Sequence, residues 1–100
     1  MATTSKALFR GAASTSNTTL YTVPSATTAI VTNIVVTNTA TSSATFTLKL
    51  DGVDLATDAA LAASTIATFD IKQVLDAADL IEGSASATTV NFHISGVEVA

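Results

Sequence analysis

The sequence has no cysteine and no tryptophan, and it has one proline and four glycines in 100 residues. The absence of cysteine excludes disulfides, thiolate metal ligands and cysteine nucleophiles. Charge is also scarce, since 12% of the residues are charged and the formal net charge is −4. A chain with so few cations is poorly suited to neutralise nucleic-acid phosphates, so we expect no nucleic-acid partner.

Long hydrophobic runs are missing too. A helix that crosses a bilayer needs about 18 or more consecutive apolar residues, and the sequence contains no such run. Lys6 and Arg10 bracket only Ala7-Leu8-Phe9, which is too short for the apolar core of a signal peptide. We therefore expect no membrane partner and no export by the usual route.

Large core side chains are few, because aromatic residues make up 5% of a chain that is 48% hydrophobic. Much of the apolar content is alanine, which buries little area per residue. A chain of this length forms one domain. We expect this domain to have a narrow margin of stability, which assembly with other subunits would widen.

The stretch Thr28–Asn38 is filled with β-branched residues and predicts a long central β-strand. Alternation places Ile30 and Ile34 on one face, which is predicted to face the core. Val31 and Val35 then fall on the opposite face. Because both faces carry apolar residues, the second face is expected to be covered by another element or by another subunit.

Further strand segments alternate with turns rich in Ser, Thr, Asn and Gly. They are residues 18–23, 44–51, 53–55, 65–71, 80–85 and 90–99. Residues 56–64 are predicted to be an irregular connection and residues 72–79 a single helical turn. The predicted fold class is all-β, a single antiparallel β-sandwich of jelly-roll-like topology over residues 18–100. The predicted core residues are Ile30, Ile34, Val36, Phe46, Leu48, Leu50, Phe69, Ile71, Phe92 and Ile94.

Residues 1–17 are small and polar apart from Leu8 and Phe9, and we interpret them as an extended N-terminal arm. In this interpretation Leu8 and Phe9 anchor the arm on a neighbouring subunit. Lys6 and Arg10 suit an acidic partner surface. In the alternative interpretation, the segment is a frayed terminus whose Leu8 and Phe9 pack on the parent domain.

Residues that carry chemistry are isolated in this sequence. His93 is the only histidine, and one titratable group without a partner makes no catalytic or metal site. Two acidic groups, within residues 51–58 and 76–82, could offer oxygen ligands to calcium, but their spacing matches no complete calcium loop. Solvated turn carboxylates are the preferred interpretation. We therefore predict no enzyme activity, no cofactor, no metal site and no small-molecule substrate.

Segments over the last four fifths of the chain resemble, in style and order, a recurrent pattern in small virion proteins of tailed bacteriophages. The segments are Leu20-Tyr21-Thr22-Val23-Pro24, Thr28-Ala29-Ile30-Val31-Thr32-Asn33-Ile34-Val35-Val36-Thr37-Asn38, Val74-Leu75-Asp76-Ala77-Ala78-Asp79 and Val90-Asn91-Phe92-His93-Ile94-Ser95-Gly96-Val97-Glu98. The family often carries glycine where Ala78 stands, and its pattern has no invariant catalytic residue. The resemblance therefore implies a β-sandwich with a structural role on a virus particle.

The resemblance implies one of two placements. As a capsid decoration or cement protein, the chain would bind between subunits of the major capsid protein on the capsid exterior, as a homotrimer, after assembly in the host cytoplasm. As a tail-fibre, baseplate or head-spike component, it would contact the host surface. We favour the first placement, because few charges and apolar residues on a second strand face suit contact with protein.

The residues predicted to contact the capsid or another subunit are apolar or cationic side chains outside the predicted core. They are Lys6, Leu8, Phe9, Arg10, Val31, Val35 and Ile66. A third hypothesis is a sugar-binding or hydrolytic module. Such a module needs paired carboxylates across a cleft or aromatic rings that stack on sugars, and the sequence offers neither pattern.

Overall fold

The computed structural model describes residues 2–100, and these residues form strands and turns without a helix. Segments rich in β-branched or alternating residues supply most of the strands, because such side chains suit a pleated surface. The strands are β1 (Thr3–Ala12), β2 (Thr18–Thr22), β3 (Thr28–Asn38), β4 (Ala44–Leu50), β5 (Val53–Leu61), β6 (Ile66–Phe69), β7 (Gln73–Leu75), β8 (Leu80–Ala85) and β9 (Val90–Val99).

The strands form two antiparallel sheets. The five-stranded sheet has the order β1-β9-β3-β6, with β7 also paired to β3, and the four-stranded sheet has the order β2-β8-β4-β5. Strands β6 and β7 pair with opposite halves of β3, so together they occupy one edge position. The first and last strands are neighbours, and most connections cross between the sheets, which is the connectivity of a jelly roll. The predicted all-β sandwich of jelly-roll type is confirmed.

The core lies between the two sheets. Phe92 of the five-stranded sheet is fully buried in one cluster with Leu48 and Ile81 of the four-stranded sheet. The ring centroid of Phe46 lies 6.1 Å from that of Phe69 and 6.3 Å from that of Phe92, so aromatic pairs join the two sheets. Most predicted core residues are buried or packed against this cluster, namely Ile34, Val36, Phe46, Leu48, Leu50, Phe69, Ile71, Phe92 and Ile94.

The predicted facing of β3 is wrong in its first half. The pairing of β3 with β9 shifts between Val31 and Asn33, where a β-bulge inserts one extra residue. Val31 therefore turns into the core and is fully buried, while Ile30 turns outward and is half-buried. Beyond the bulge the prediction is correct, since Ile34 is buried and Val35 lies on the outer face.

The predicted N-terminal arm is wrong, because β1 pairs with β9 along its whole length. A second bulge, between Ala7 and Phe9, lets two consecutive apolar side chains face the core. Leu8 is 6% exposed and Phe9 packs against the core. Of the alternative interpretation, the packing of both residues on the parent domain is correct, whereas the frayed terminus is wrong, because residues 3–12 form β1. The sandwich therefore includes β1, and the predicted boundary between residues 17 and 18 does not divide an arm from it. Met1 lies outside the described residues.

Two connections also differ from their predictions. Residues 72–79, predicted as a helical turn, contain β7 and a turn, with Leu75 buried and Val74 63% exposed. Residues 56–64, predicted as an irregular connection, form the larger part of β5 and the turn after it. In both segments, pairing with a neighbouring strand overrides helix propensity, which is weak over so few residues.

A buried asparagine ties three loops together at one end of the sandwich. Asn38 is 2% exposed, and its side-chain amide donates to the carbonyl oxygens of Ser42 at 2.9 Å and Ala62 at 3.3 Å. Its side-chain oxygen accepts from the backbone N–H of Ala40 at 3.1 Å and from the hydroxyl of Thr89 at 3.2 Å. Asn38 thereby fixes the loops that precede β4, β6 and β9, a role that the sequence pattern did not indicate.

Candidate functional site

Register decides which side chains share a face, because directly paired residues of antiparallel strands point to the same side of the sheet. The outer face of the five-stranded sheet, hereafter the five-stranded face, follows from the pairings of its strands. None of the described side chains on it is a carboxylate. They are Thr3, Ser5, Ala7, Arg10, Ala12, Thr28, Ile30, Asn33, Val35, Thr37, Ile66, Thr68, Val74, Asn91, His93, Ser95, Val97 and Val99.

The outer face of the four-stranded sheet, hereafter the four-stranded face, is polar and acidic. Lys49 pairs in register with Asp54 on one neighbouring strand and with Glu82 on the other. Asp58 lies on the same face, because the hydroxyl of Thr47 donates to its carboxylate at 3.5 Å and accepts from its backbone N–H at 3.0 Å. The carboxylates at the outward-facing strand positions of the two sheets thus lie on the four-stranded face. The five-stranded face is neutral to positive, although the whole chain is acidic.

Apolar side chains are exposed at the β6–β7 edge of the five-stranded face. Ile66 and Val74 are each 63% exposed. Ile30 pairs with Val74 on one side and with Val97 on the other, so these three residues form an apolar row across three strands. An exposed apolar area of this kind is typical of a surface that contacts another protein.

A shallow depression of about 400 Å³ lies on the five-stranded face beside β1. It is lined by Ser5, Lys6, Ala7, Arg10, Thr32, Ser95, Gly96 and Val97. Arg10 is exposed and stands opposite His93 in the register of β1 and β9. Within residues 2–100, each of the three lysines has a carboxylate oxygen within 4.0 Å, whereas Arg10 has none. The depression therefore combines apolar and hydroxyl groups with a guanidinium that is free to bind an acceptor.

A polar cluster joins the two sheets near the other end of β1. The hydroxyl of Tyr21, on β2, donates to the carboxylate of Glu98, on β9. Lys6 Nζ lies 3.4 Å from both oxygens of the same carboxylate. Burial, and then the hydrogen bond to Glu98, raise the pKa of Tyr21, while the hydrogen bond from Tyr21 chiefly lowers the pKa of Glu98. The cluster therefore holds a charged carboxylate between the sheets and stabilises the fold.

Three of the predicted contact residues come together on the five-stranded face. Arg10 is exposed beside the depression, Val35 is half-buried in the middle of the face and Ile66 is exposed at its edge. The prediction missed Val74 and Val97, which lie on the same face. Both residues lie on this face because they pair with Ile30 of β3. The few residues around each of them in the sequence do not indicate this pairing.

The other predicted contact residues offer no free side chain on this face. Leu8 and Val31 are 6% and 0% exposed, so their side chains belong to the core and cannot reach a partner. Phe9 is half-buried against the same core. Lys6 is exposed, but its ammonium group is engaged with Glu98.

Acidic residues of the two groups noted in the sequence accept hydrogen bonds from residues close to them in the chain. Asp79 Oδ2 accepts from the backbone N–H of Asp76 at 2.8 Å, and Asp54 accepts from the hydroxyl of Thr57. Among the described residues, no group of three or more His, Asp or Glu side chains could hold a metal ion. No helix in this part of the chain has the length and apolar character needed to cross a membrane.

Neither the models of protein families, nor the curated proteins, nor the solved structures contain a match to the chain. The comparisons therefore assign the chain to no family.

Proposed function

We propose that this chain is a structural virion protein of a tailed bacteriophage, which decorates and stabilises the capsid by binding between subunits of the major capsid protein. The observation that carries the proposal is the five-stranded face, with its exposed apolar row and no carboxylate among its described side chains. Such a face suits contact with protein. The resemblance of the quoted segments supplies the setting, the exterior of a virus particle.

The two most exposed apolar side chains of the five-stranded face, Ile66 and Val74, favour binding in several copies. Complete burial of a valine or isoleucine side chain contributes about 1.5–3 kcal/mol. Because Ile66 and Val74 are each 63% exposed, their burial would contribute together about 2–4 kcal/mol. Association itself costs about 4–15 kcal/mol. A single face would therefore bind weakly, and a homotrimer that docks three faces at once would gain affinity through avidity.

The test adds the purified protein to capsids that lack it and measures the bound copies. Ile66→Asp and Val74→Asp should each abolish or strongly reduce binding, because a carboxylate would be buried at the contact. Val53→Asp is the matched control, since Val53 is 71% exposed but lies on β5 of the other sheet. Equal loss of binding in all three variants, or in none, would contradict docking through the five-stranded face.

The elongated shape of the sandwich, 46 by 21 by 18 Å, favours a second candidate, a component of a fibre or baseplate in which domains are arranged along an axis. Copy number separates the two candidates. A decoration protein would be present in numbers comparable to the major capsid protein, whereas a tail component would be present in few copies. Densitometry of purified virions measures this ratio directly.

A further inference from the structure

We infer that the depression on the five-stranded face is a binding site for a carboxylate, and that it receives an acidic side chain of the protein on which this chain docks. The identity of that partner rests on the proposed function. The chemistry of the site rests on the residues that line the depression. Arg10 supplies the charge, hydroxyl groups supply further donors, and small apolar groups accommodate the methylene groups that precede a glutamate carboxylate.

The two β-bulges of the five-stranded sheet create the site. The bulge of β1 lies between the residues that pair with Ser95 and Ile94, and the bulge of β3 lies between those that pair with Gly96 and Ser95. Both neighbours of β9 are therefore irregular at the same point. Bulges bend the strand and disrupt the ladder locally, and the depression lies at this point of the face.

The donors around the depression are suited to a carboxylate. The guanidinium of Arg10 has a planar fork that pairs with carboxylates through two parallel hydrogen bonds. The hydroxyls of Ser5, Thr32 and Ser95 line the same depression. The hydroxyl of Thr32 is loosely held, since it donates to the carbonyl oxygen of Ser95 at 3.3 Å. No Asp or Glu lines the depression, and the carboxylate of Glu98, outside the lining, is paired with Lys6.

The apolar part of the lining selects a peptide over a small inorganic anion. Ala7 and Val97 lie beside the charged and hydroxyl groups, and they can contact the methylene groups of a glutamate side chain. The apolar row of the same face would then contact the rest of the partner segment. An acidic peptide can use both features, whereas phosphate can use only the donors.

The experiment titrates the full chain with a hexaglutamate peptide and follows the backbone amide signals by NMR. The shifts should concentrate on the segments around Ser5, Thr32 and Ser95. Arg10→Gln should weaken binding about three- to tenfold, as expected for loss of one exposed charge-assisted contact. Lys72→Gln is the matched control, because it removes the same charge from a side chain that is 75% exposed outside the depression.

Several results would overturn the site. Shifts spread equally over the surroundings of all four cations, equal weakening by Arg10→Gln and Lys72→Gln, or binding of phosphate as tight as that of the peptide would each do so. A capsid-binding assay with the wild-type chain and with Arg10→Gln tests this site separately from the proposed function. If the peptide binds through Arg10 but Arg10→Gln decorates capsids normally, the site is not used by the partner and the proposed function stands. If the wild-type chain binds the peptide but no capsid, the site stands and the proposed function falls.

Discussion

Replacing Gly96 by alanine should destabilise the sandwich severely, because β9 passes too close to its neighbours at this residue to admit a side chain. A Cβ at Gly96 would lie 2.3 Å from the backbone oxygen of Ile30 and 2.9 Å from Leu8 Cδ1. Ile30 belongs to β3, which is paired on both sides, and Leu8 is buried, so neither can move away easily. Overpacking typically costs about 1–3 kcal/mol, and a clash with backbone places this substitution at or above the upper value.

A loss of about 3 kcal/mol is a large part of the roughly 5–15 kcal/mol that stabilises a typical domain. For a chain of this length it corresponds to a fall of roughly 12–24 °C in Tm. Thermal and urea unfolding followed by circular dichroism measure both quantities. Gly11→Ala is the matched control on the adjacent strand β1, because its Cβ would meet only the Phe9 ring, at 3.4 Å. A Gly96→Ala protein whose Tm lies within a few degrees of the Gly11→Ala protein would refute the close approach of β9 and β3.

Three further predictions concern stability. Asn38→Ala should cost about 2–3 kcal/mol in urea unfolding, because it removes the hydrogen bonds of a buried side chain and leaves backbone groups of two loops and the hydroxyl of Thr89 without this partner. Asn17→Ala, which removes an exposed contact to Glu82, should change it little. Because the pKa of Glu98 is lowered in the folded state, its stabilising contribution is complete above the ordinary pKa of a glutamate and is lost as the pH falls through the lowered value. Glu98→Gln should therefore reduce the fall of the urea unfolding midpoint as the pH is lowered into the acid range. An unchanged acid dependence would contradict the stabilising role of the Tyr21–Glu98–Lys6 cluster. Deletion of residues 1–12 should leave the chain unfolded by circular dichroism, since it removes β1 and the buried Leu8; a truncated chain with native Tm would restore the interpretation of these residues as an arm.

The class of fold could be predicted from the sequence because strict alternation of apolar and polar residues, as in β4, indicates a strand with one face buried and the other exposed. The facing of β3 could not. Ile30, Val31 and Thr32 are all β-branched, so the local sequence fits either register equally well, and a shift of one residue exchanges the two faces. The bulge that decides between them is set by pairing with β9, which is distant in the sequence.

The strand at the N-terminus escaped prediction for a related reason. Residues 3–7 are small or polar and lack alternation, so only the pairing with β9 makes them a strand. A local signal was nevertheless present. Leu8-Phe9 and Leu20-Tyr21 are pairs of large apolar residues at points where the register shifts by one residue, and in both pairs the two side chains belong to the core or pack against it. Adjacent large apolar residues in an otherwise polar strand can therefore indicate a bulge in a buried sheet.

The segregation of charge between the two faces emerges only when the register is known. The docking surface that we propose is the five-stranded face, because the free strand edges are poorly suited to pair with another chain. The edge at β6 and β7 is interrupted by residues 70–72, and β1 is bulged and carries Lys6 and Arg10. Strand β5 is irregular in its pairing and holds Asp58 at a φ of 45°. Strand β2, the remaining edge, is 5 residues long and its register shifts between Thr19 and Tyr21. Contact with a partner is thus expected through side chains of a face and not through backbone pairing at an edge.

This distinction predicts that the two face variants lose docking while they keep the fold. Ile66 and Val74 are each 63% exposed and lie on short edge strands, so aspartate at either position removes little buried area. Exposed substitutions usually change stability by less than about 0.5 kcal/mol, and the lower strand propensity of aspartate adds up to about 1 kcal/mol. Ile66→Asp and Val74→Asp should therefore retain most of the wild-type Tm, with losses well below that of Gly96→Ala. If either variant were unfolded at the temperature of the docking assay, its failure to decorate capsids would reflect loss of the fold. The side chain would then have to be assigned to the core and not to the five-stranded face.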